Sequence, residues 1–256
     1  SFNKDRTQAL YNHDGRTYIS VKGGAKKKLA GSEFSNVLAK ESIVTTGDDF
    51  DGGDYEITIV RTGLDSFEGR LLYSYDSDTI FYIKKGYEAE KVASNVYYFA
   101  QASNNKSLVY TDDGDIWKVT NFNEGGKPTK MTNTGEVWKV YGAGNLEHIY
   151  FLSYDDELFY LKGKKGKKIA DDVEDVYMSL DGKHCYYVVD EEEVFCSSEG
   201  GKGKKIVTAD DVDATVEGGR LFLMTEVDDV VTIYLMDGSK KKELYSYEYS
   251  YEYEDY

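Results

Sequence analysis

Histidine, cysteine and carboxylate side chains are those most able to do chemistry, and here they show few patterns of a known reaction. His13, His148 and His184 stand at no spacing typical of a catalytic triad or a metal site, and we expect structural or surface roles for them. The sequence contains no P-loop, GxGxxG or GxSxG motif. No carboxylate pair for glycoside hydrolysis stands out among the 47 acidic residues. We therefore expect neither an enzyme nor a bound cofactor.

One glycine-containing loop is crowded with carboxylates: Asp48, Asp49, Asp51, Asp54 and Glu56. Closely spaced carboxylates of this kind could hold calcium, and Asp49, Asp51 and Asp54 are the candidate ligands. The EF-hand pattern fails, because position 12 counted from Asp49 is Val60 rather than glutamate. We therefore favour a solvated loop and expect no metal site.

The two cysteines, Cys185 and Cys196, flank an acidic stretch that reads as a hairpin turn. If the turn is centred between Asp190 and Glu191, residues whose numbers sum to 381 face each other, as 185 and 196 do. A cross-strand disulfide is then geometrically possible. Two buried thiols packed side by side are the alternative. No CxxC motif or Cys/His cluster indicates zinc.

Composition and charge narrow the class of protein. The chain has 256 residues, 40% of them apolar, and a net charge of −16, which argues against nucleic acid as a partner. It has 24 tyrosines and 25 glycines but one proline, a composition that favours many strands joined by tight turns. Its apolar runs are far shorter than the roughly 20 residues of a spanning helix.

Self-similarity is the strongest signal in the sequence. Six segments share an aromatic strand, an acidic tight turn, a second strand, a Gly/Lys turn and a short Lys-Lys-aliphatic strand. The aromatic anchors are Tyr11, Tyr73, Tyr110, Phe151, Tyr187 and Phe222. Their intervals are 62, 37, 41, 36 and 35 residues, and most suit a four-stranded propeller blade of about 40 residues.

We therefore predict an all-β fold, a six-bladed β-propeller that occupies residues 1–256 as a single domain. The long first interval holds an extra strand pair, Ile43 to Thr46 and Tyr55 to Val60. This region, at about 32–66, is an insertion or a degenerate blade, and a seven-bladed ring is the alternative. We favour the insertion because the Gly/Lys turn and the strand after it occur six times.

The unit around Cys185 illustrates the predicted strands. Strand A covers Val173 to Ser179, strand B Cys185 to Val189, strand C starts near Glu193 and strand D covers Lys204 to Thr208. Asp-Gly pairs, which favour tight hairpin turns, begin at Asp14, Asp113, Asp181 and Asp237.

The first unit begins directly at strand B, and the chain end alternates tyrosine with serine or glutamate from Tyr245 to Tyr253. This period of two is typical of a strand. We predict that this C-terminal strand completes the first blade and closes the ring. A disordered acidic, aromatic tail is the alternative.

One position of the repeat carries a family resemblance. Tyr11, Tyr73, Tyr110 and Tyr187 each begin a Y-x-x-D motif, whereas the Phe151 and Phe222 units depart from it and the Trp-Thr pair is absent. The repeat resembles the YWTD-type propeller of lipoprotein receptors and, more loosely, TolB-type propellers and bacterial extracytoplasmic relatives of unknown function. The resemblance implies six blades and binding of a protein ligand without chemistry.

The predicted strand order would also place acidic and basic turns on opposite faces of the molecule. In an up-and-down blade the B–C turns, which are acidic here, lie on one face, and the lysine-rich C–D turns lie on the other. The lysines that we expect on the second face include Lys26, Lys84, Lys127, Lys164, Lys204 and Lys241. Solvation alone explains such charges. The sharper hypothesis is that the lysine-rich face docks on a polyanion, such as an anionic membrane surface or a cell-wall polymer.

The predicted function is non-catalytic recognition of a protein, peptide or glycan by a monomer. We expect it outside the cytoplasm, with the protein secreted or anchored through a removed N-terminal segment. Most tyrosines, including Tyr97 and Tyr98, are expected to pack in strands, and a few at the channel mouth to stack on sugars or peptides. The alternatives are a hydrolase acting on a glycan or peptide at the channel mouth and a structural spacer.

Overall fold

The structure is a computed structural model that describes residues 3–5, 7–31, 36–38, 46–47, 56–57, 65–190, 192–217 and 220–248. Within these residues the chain forms 25 β-strands and two 3-10 helices of three residues each. Every strand pairing is antiparallel. No helix in the described part of the chain is long and apolar enough to cross a membrane.

The first half of the chain holds three sheets and a separate strand pair. The first sheet is β1 (Gln8–His13), β2 (Arg16–Val21) and β3 (Lys27–Ala30). The second is β4 (Asn36–Leu38), β7 (Leu71–Ser74), β8 (Thr79–Lys84) and β9 (Glu88–Ala93), and the separate pair is β5 (Thr46–Gly47) with β6 (Glu56–Ile57). The third is β10 (Phe99–Gln101), β11 (Ser107–Asp112), β12 (Asp115–Thr120) and β13 (Thr129–Lys130).

The second half holds three four-stranded sheets. The fourth sheet is β14 (Val137–Gly142), β15 (Ile149–Ser153), β16 (Leu158–Lys162) and β17 (Lys165–Ala170). The fifth is β18 (Val173–Met178), β19 (His184–Val189), β20 (Glu193–Ser198) and β21 (Lys204–Thr208). The sixth is β22 (Asp211–Glu217), β23 (Arg220–Val227), β24 (Val230–Asp237) and β25 (Lys240–Glu248). In each four-stranded sheet we call the strands A to D in chain order, and β1 to β3 correspond to B, C and D.

Successive sheets pack face to face in chain order. Adjacent strand residues point to opposite faces, so a B strand contributes to two cores, as Leu71 and Leu72 do. Representative members of the five cores are Leu10 with Leu72, Leu71 with Leu108, Val109 with Phe151, Leu152 with Cys185, and Tyr186 with Leu223. The described chain is therefore all-β, with six sheets of three or four strands, an arrangement consistent with a propeller of about six blades.

The repeat predicted the local structure well. In the fifth sheet the observed strand bounds agree with the predicted ones to within one residue. Asp14 with Gly15 and Asp113 with Gly114 all have positive φ, as a type I′ turn requires, and each pair joins two strands of a hairpin. Local turn chemistry and period-two alternation suffice to place these hairpins.

The expected register, in which Cys185 and Cys196 face each other, is wrong. Strand β19 pairs with β20 so that Cys185 lies opposite Ser197 and Cys196 lies opposite Tyr186. The turn is one residue longer than predicted, because Val189 pairs with Glu193. A shift of one residue moves a side chain to the other face of a sheet, so Cys185 lies in the core with the fourth sheet and Cys196 in the core with the sixth. Both are free thiols.

The prediction that the C-terminal strand completes the first blade is wrong for its first four residues. Strand β25 continues the β24 hairpin as far as Glu248, with Tyr245 opposite Ile233 and Tyr247 opposite Val231. Pairing next to the turn beginning at Asp237 keeps these residues in the sixth sheet, across a register shift at Ile233 and Tyr234. Residues 249–256 lie outside the described residues.

The region of the predicted insertion is described in part. Strand β4 supplies strand A of the second sheet, while Thr46 pairs with Ile57 in the separate two-stranded sheet. The candidate calcium ligands Asp49, Asp51 and Asp54 lie outside the described residues. The single-domain assignment, and the choice between an insertion and a degenerate blade, stay predictions.

Candidate functional site

An open cleft of about 700 Å³ lies where the third and fourth sheets meet, beside their B–C turns. Its walls come from the connection into β10, the β11–β12 turn, the start of β14 and the end of β15. The lining residues are Asn95, Tyr97, Tyr98, Thr111, Asp112, Asp113, Gly114, Val137, Trp138 and Tyr154. Aromatic rings and two adjacent carboxylates thus share one recess.

Asp115 anchors the turn that carries the two carboxylates. Its side chain, 9% exposed, pairs with Lys130 Nζ at 2.6 Å and accepts hydrogen bonds from Thr132 Oγ1 at 3.1 Å and the Gly135 N–H at 3.4 Å. Burial opposes ionisation of Asp115, but the ion pair with Lys130 and these hydrogen bonds outweigh it and lower its pKa. The turn is therefore held to β13 and to the connection that leads into the fourth sheet.

A close backbone approach joins the same turn to the fourth sheet. The Val137 N–H donates to the Gly114 carbonyl at 2.9 Å. A Cβ at Gly114 would collide with the Gly135 carbonyl group, and the φ of Gly114 is +70°. Glycine is thus required at position 114 for both space and conformation. This contact ties the β11–β12 turn to the start of β14.

Backbone hydrogen bonds also hold the aromatic residues. The Tyr97 N–H donates to the Thr111 carbonyl at 3.3 Å, and the Thr111 N–H donates to the Tyr98 carbonyl at 2.8 Å. The Tyr98 N–H donates to Thr111 Oγ1 at 3.1 Å, and the Tyr154 N–H donates to the Glu136 carbonyl at 3.1 Å. The rings therefore project from backbone that is already ordered.

Two of these aromatic side chains are strongly exposed. Tyr97 is 56% and Tyr154 62% exposed, whereas Tyr98 is buried and Trp138 half-buried. Trp138 meets Tyr98 edge-on, with ring centroids 6.3 Å apart, and Lys139 Nζ lies 3.9 Å from the Trp138 centroid. The expectation that Tyr97 and Tyr98 lie in a strand is wrong, because β10 begins at Phe99, although Tyr98 is buried.

The protein offsets the negative charge of the cleft only in part. Burial and the neighbouring charges of Asp113 and Asp115 raise the pKa of Asp112, against the opposing effect of Lys130. Within the described chain neither Asp112 nor Asp113 forms an ion pair. The cleft therefore carries negative charge beside its aromatic walls.

A second polar group lies on the A strands of the next sheets. Desolvation raises the pKa of Asp175 of β18, although the residue is exposed; Lys139 lowers that pKa in part and Asp213 raises it. Burial and then Asp175 raise the pKa of Tyr177, whose hydroxyl hydrogen bonds with the Asp175 carboxylate. Lys139 therefore interacts electrostatically with Asp175.

The histidines do not converge on the cleft or on one another. His148 Nδ1 lies 3.0 Å from the Tyr160 hydroxyl, His184 Nδ1 lies 2.8 Å from Ser198 Oγ, and His13 Nε2 lies 3.2 Å from Asp14. No group of three or more His, Cys, Asp or Glu side chains in the described chain could hold a metal ion.

The lysines assigned to a polyanion-binding face lie in the C–D turns or the strands beside them. Lys84 pairs with Glu90, Lys26 Nζ lies 4.8 Å from the Tyr18 centroid, and Lys241 Nζ lies 4.4 Å from the Tyr234 centroid. Lys127, Lys164 and Lys204 are exposed. Docking of this face on a polyanion stays a prediction.

Sequence reasoning missed most of the cleft. Trp138 and Tyr154 were not singled out, although Tyr154 belongs to one of the two units in which the Y-x-x-D pattern fails. That departure is a signal, because Tyr154 stands one position before the unit's acidic turn and is exposed rather than packed. Which rings share a cleft depends on contacts between sheets, which the repeat does not encode.

No protein-family model matches the chain, and no curated protein matches it. The resemblance to YWTD-type and TolB-type propellers therefore stays a resemblance. Among solved structures, Hsv2 of Kluyveromyces lactis is 13% identical with a TM-score of 0.49 over 97% of each chain. PorZ, a surface component of the Porphyromonas gingivalis type-IX secretion system, is 10% identical with a TM-score of 0.49, over 93% of this chain and 31% of PorZ. A candidate 6-phosphogluconolactonase of Bacteroides uniformis is 12% identical with a TM-score of 0.43, over 91% of this chain and 92% of its own. None of these similarities carries a function to this chain.

Proposed function

We propose that this protein is a non-catalytic recognition module that binds its ligand in the cleft between the third and fourth sheets. The observation that carries the proposal is the exposure of Tyr97 and Tyr154 beside Trp138, on backbone that is held by hydrogen bonds. Tyrosine and tryptophan offer a large rigid surface with a polar tip, and they dominate binding energy at interfaces. Pre-ordered backbone lowers the entropic cost of binding.

The arrangement of the carboxylates supports binding rather than hydrolysis. Asp112 and Asp113 are neighbours on one turn, and both line the cleft. Glycoside hydrolysis requires two carboxyl groups that flank the scissile bond. The histidines, which could act as general bases, are engaged elsewhere.

The proposal includes a closed ring of six blades, with the cleft on the face of the B–C turns. Its support is the chain-order packing of the six sheets. Monomeric state and a location outside the cytoplasm also belong to the proposal. The free thiols remove the cysteine pair as an argument for that location.

A binding screen tests the proposed site. The wild-type protein is applied to glycan and peptide arrays, and hits are titrated against the double variant Tyr97→Ala/Tyr154→Ala. We expect affinity to fall about tenfold or more, as for aromatic residues that anchor an interface. The matched control is Tyr75→Ala/Tyr245→Ala, which removes two exposed tyrosines elsewhere and should bind like wild type. Equal binding by both double variants, or turnover of the bound ligand, would overturn the proposal.

A further inference from the structure

We propose that the ligand of the cleft is cationic, an arginine side chain presented by a polypeptide segment. This inference rests on the proposed function, because it assigns the chemistry of the same site. Asp112 and Asp113 would receive the guanidinium group, and the exposed rings of Tyr97 and Tyr154 would cover its flat faces.

The fold pairs some carboxylates next to the B–C turns with its own lysines. In three successive sheets a lysine of strand D pairs with an acidic residue at the start of strand C or immediately before it. The pairs are Lys130 with Asp115, Lys168 with Glu157 and Lys205 with Glu193. No such lysine pairs with Asp112 or Asp113 in the part of the chain that the structure describes. A ligand can supply the missing positive charge.

Partial burial of Asp112 increases the stabilisation that a positively charged ligand group would provide there. The protein already desolvates this carboxylate, as the rise in its pKa reflects. A neutral ligand that closed the cleft would desolvate it further and could return only hydrogen bonds, and an anion would add repulsion. A cation that contacts Asp112 offsets this cost.

Two aromatic side chains of the cleft, Trp138 and Tyr98, already lie close to a positive charge. Lys139 Nζ lies 3.9 Å from the centroid of Trp138 and 5.6 Å from that of Tyr98, within the range of a cation–π interaction. The charge of Lys139 also lowers the pKa of Asp175 on the neighbouring sheet. The charge of Asp112 is offset only in part, by Lys130, and its pKa stays raised.

Arginine fits the cleft better than lysine. Its guanidinium is planar, stacks on aromatic rings and can bond two carboxylate oxygens at once, whereas an ammonium group is a compact, strongly hydrated point charge. The cleft offers both partners, since exposed tyrosines stand beside two adjacent carboxylates. A peptide with arginine should therefore bind more tightly than one with lysine.

Fluorescence anisotropy with defined probes tests the inference. The probes are fluorescein-labelled glycine hexapeptides with two arginines, two lysines or two citrullines, the last being neutral and nearly isosteric with arginine. We expect the arginine peptide to bind, the lysine peptide to bind more weakly and the citrulline peptide to lose about tenfold or more in affinity. Equal affinity for the arginine and citrulline peptides would overturn the inference.

A pair of variants separates the site from the overall negative charge. Asp112→Asn/Asp113→Asn should weaken arginine-peptide binding about tenfold or more. Asp228→Asn/Asp229→Asn makes the same charge change on another B–C turn and should stay within about twofold of wild type. Asn tolerates the left-handed backbone of Asp113, Asp228 and Asp229, so both variants should fold. Equal weakening by the two variants would show general attraction and overturn the inference.

Chitohexaose, a neutral oligosaccharide, separates this inference from the proposed function. If chitohexaose binds, loses affinity in Tyr97→Ala/Tyr154→Ala, and the arginine peptide does not bind, then recognition at the cleft stands and the cationic ligand is wrong. If the arginine peptide binds equally to wild type and to that tyrosine variant, the cleft itself is wrong as the site.

Discussion

The pKa values of two carboxylates at the ends of one tight turn are shifted in opposite directions. Asp115 has a lowered pKa, because Lys130 and two hydrogen bonds outweigh the effect of burial. Asp112 has a raised pKa, because burial and the neighbouring acids dominate over Lys130. The charged form of Asp115 therefore stabilises the fold, and the charged form of Asp112 destabilises it.

Asp112→Asn should therefore stabilise the protein at neutral pH. We expect the Tm to rise by about 1–2 °C, as for a favourable change near the surface of a domain of this size. The raised pKa of Asp112 means that its destabilising effect exists when the group is charged and disappears as the pH falls through that pKa. The gain should therefore vanish in acid, which thermal melts between about pH 3 and pH 8 would measure.

Asp115→Asn is the matched comparison. The lowered pKa of Asp115 means that its stabilisation is present above the unfolded-state pKa and is lost as the pH falls through the folded-state pKa. This variant should lose about 1–3 kcal/mol at neutral pH, because it leaves Lys130 without its partner. A lower Tm for Asp112→Asn at neutral pH, or a gain that persists in acid, would contradict the assignment.

At the scale of elements, the register of the β19–β20 hairpin determines which core each cysteine occupies. The strands were predicted almost to the residue, but the length of the turn sets which side chains face each other. Cys185 and Cys196 lie in cores on opposite faces of the fifth sheet. Burial raises the pKa of both thiols, which keeps them protonated and unreactive in the folded protein.

Thiol titration tests this register. Protein that is unfolded in denaturant without reductant should react with Ellman's reagent at two thiols per chain, since both cysteines are free. The folded protein should react slowly, because both thiols are buried. Cys185→Ser provides the control and should leave one reactive thiol after unfolding. Fewer than two thiols in freshly unfolded wild type would indicate the disulfide that this register excludes.

At the scale of the whole molecule, the sheets follow one another in chain order and share cores between neighbours. Packing in chain order is compatible with both a closed ring and an open row of sheets. The two arrangements differ in the distance between the first and sixth sheets. Packed sheets are about 10 Å apart, so a row of six would separate its end sheets by on the order of 50 Å. A closed ring would make them neighbours.

Distances between spin labels test closure. Labels at Arg16→Cys and Val227→Cys report on the first and sixth sheets, and labels at Glu192→Cys and Val227→Cys report on the neighbouring fifth and sixth sheets. We expect the two distances to agree within about 10 Å, one sheet spacing. Protein without introduced cysteines controls for labelling of the buried native thiols. A first-to-sixth distance longer by several sheet spacings would exclude the ring.

The sequence alone determined the repeated unit of this protein. Asp113 with Gly114 and the strand of Tyr187 could be placed because turn type and strand alternation depend on residues adjacent in the chain. The sequence could not determine strand register or which residues meet across sheets. A single extra residue in a turn separated Cys185 from Cys196.

Only the tertiary structure decided the site. Tyr97, Trp138 and Tyr154 belong to three different segments, and they share a cleft because the third and fourth sheets pack together. The raised pKa of Asp112 likewise depends on burial and on the charges around it. Hairpins are local and can be deduced from residue types, whereas desolvation and convergence arise only when distant strands pack and exclude water.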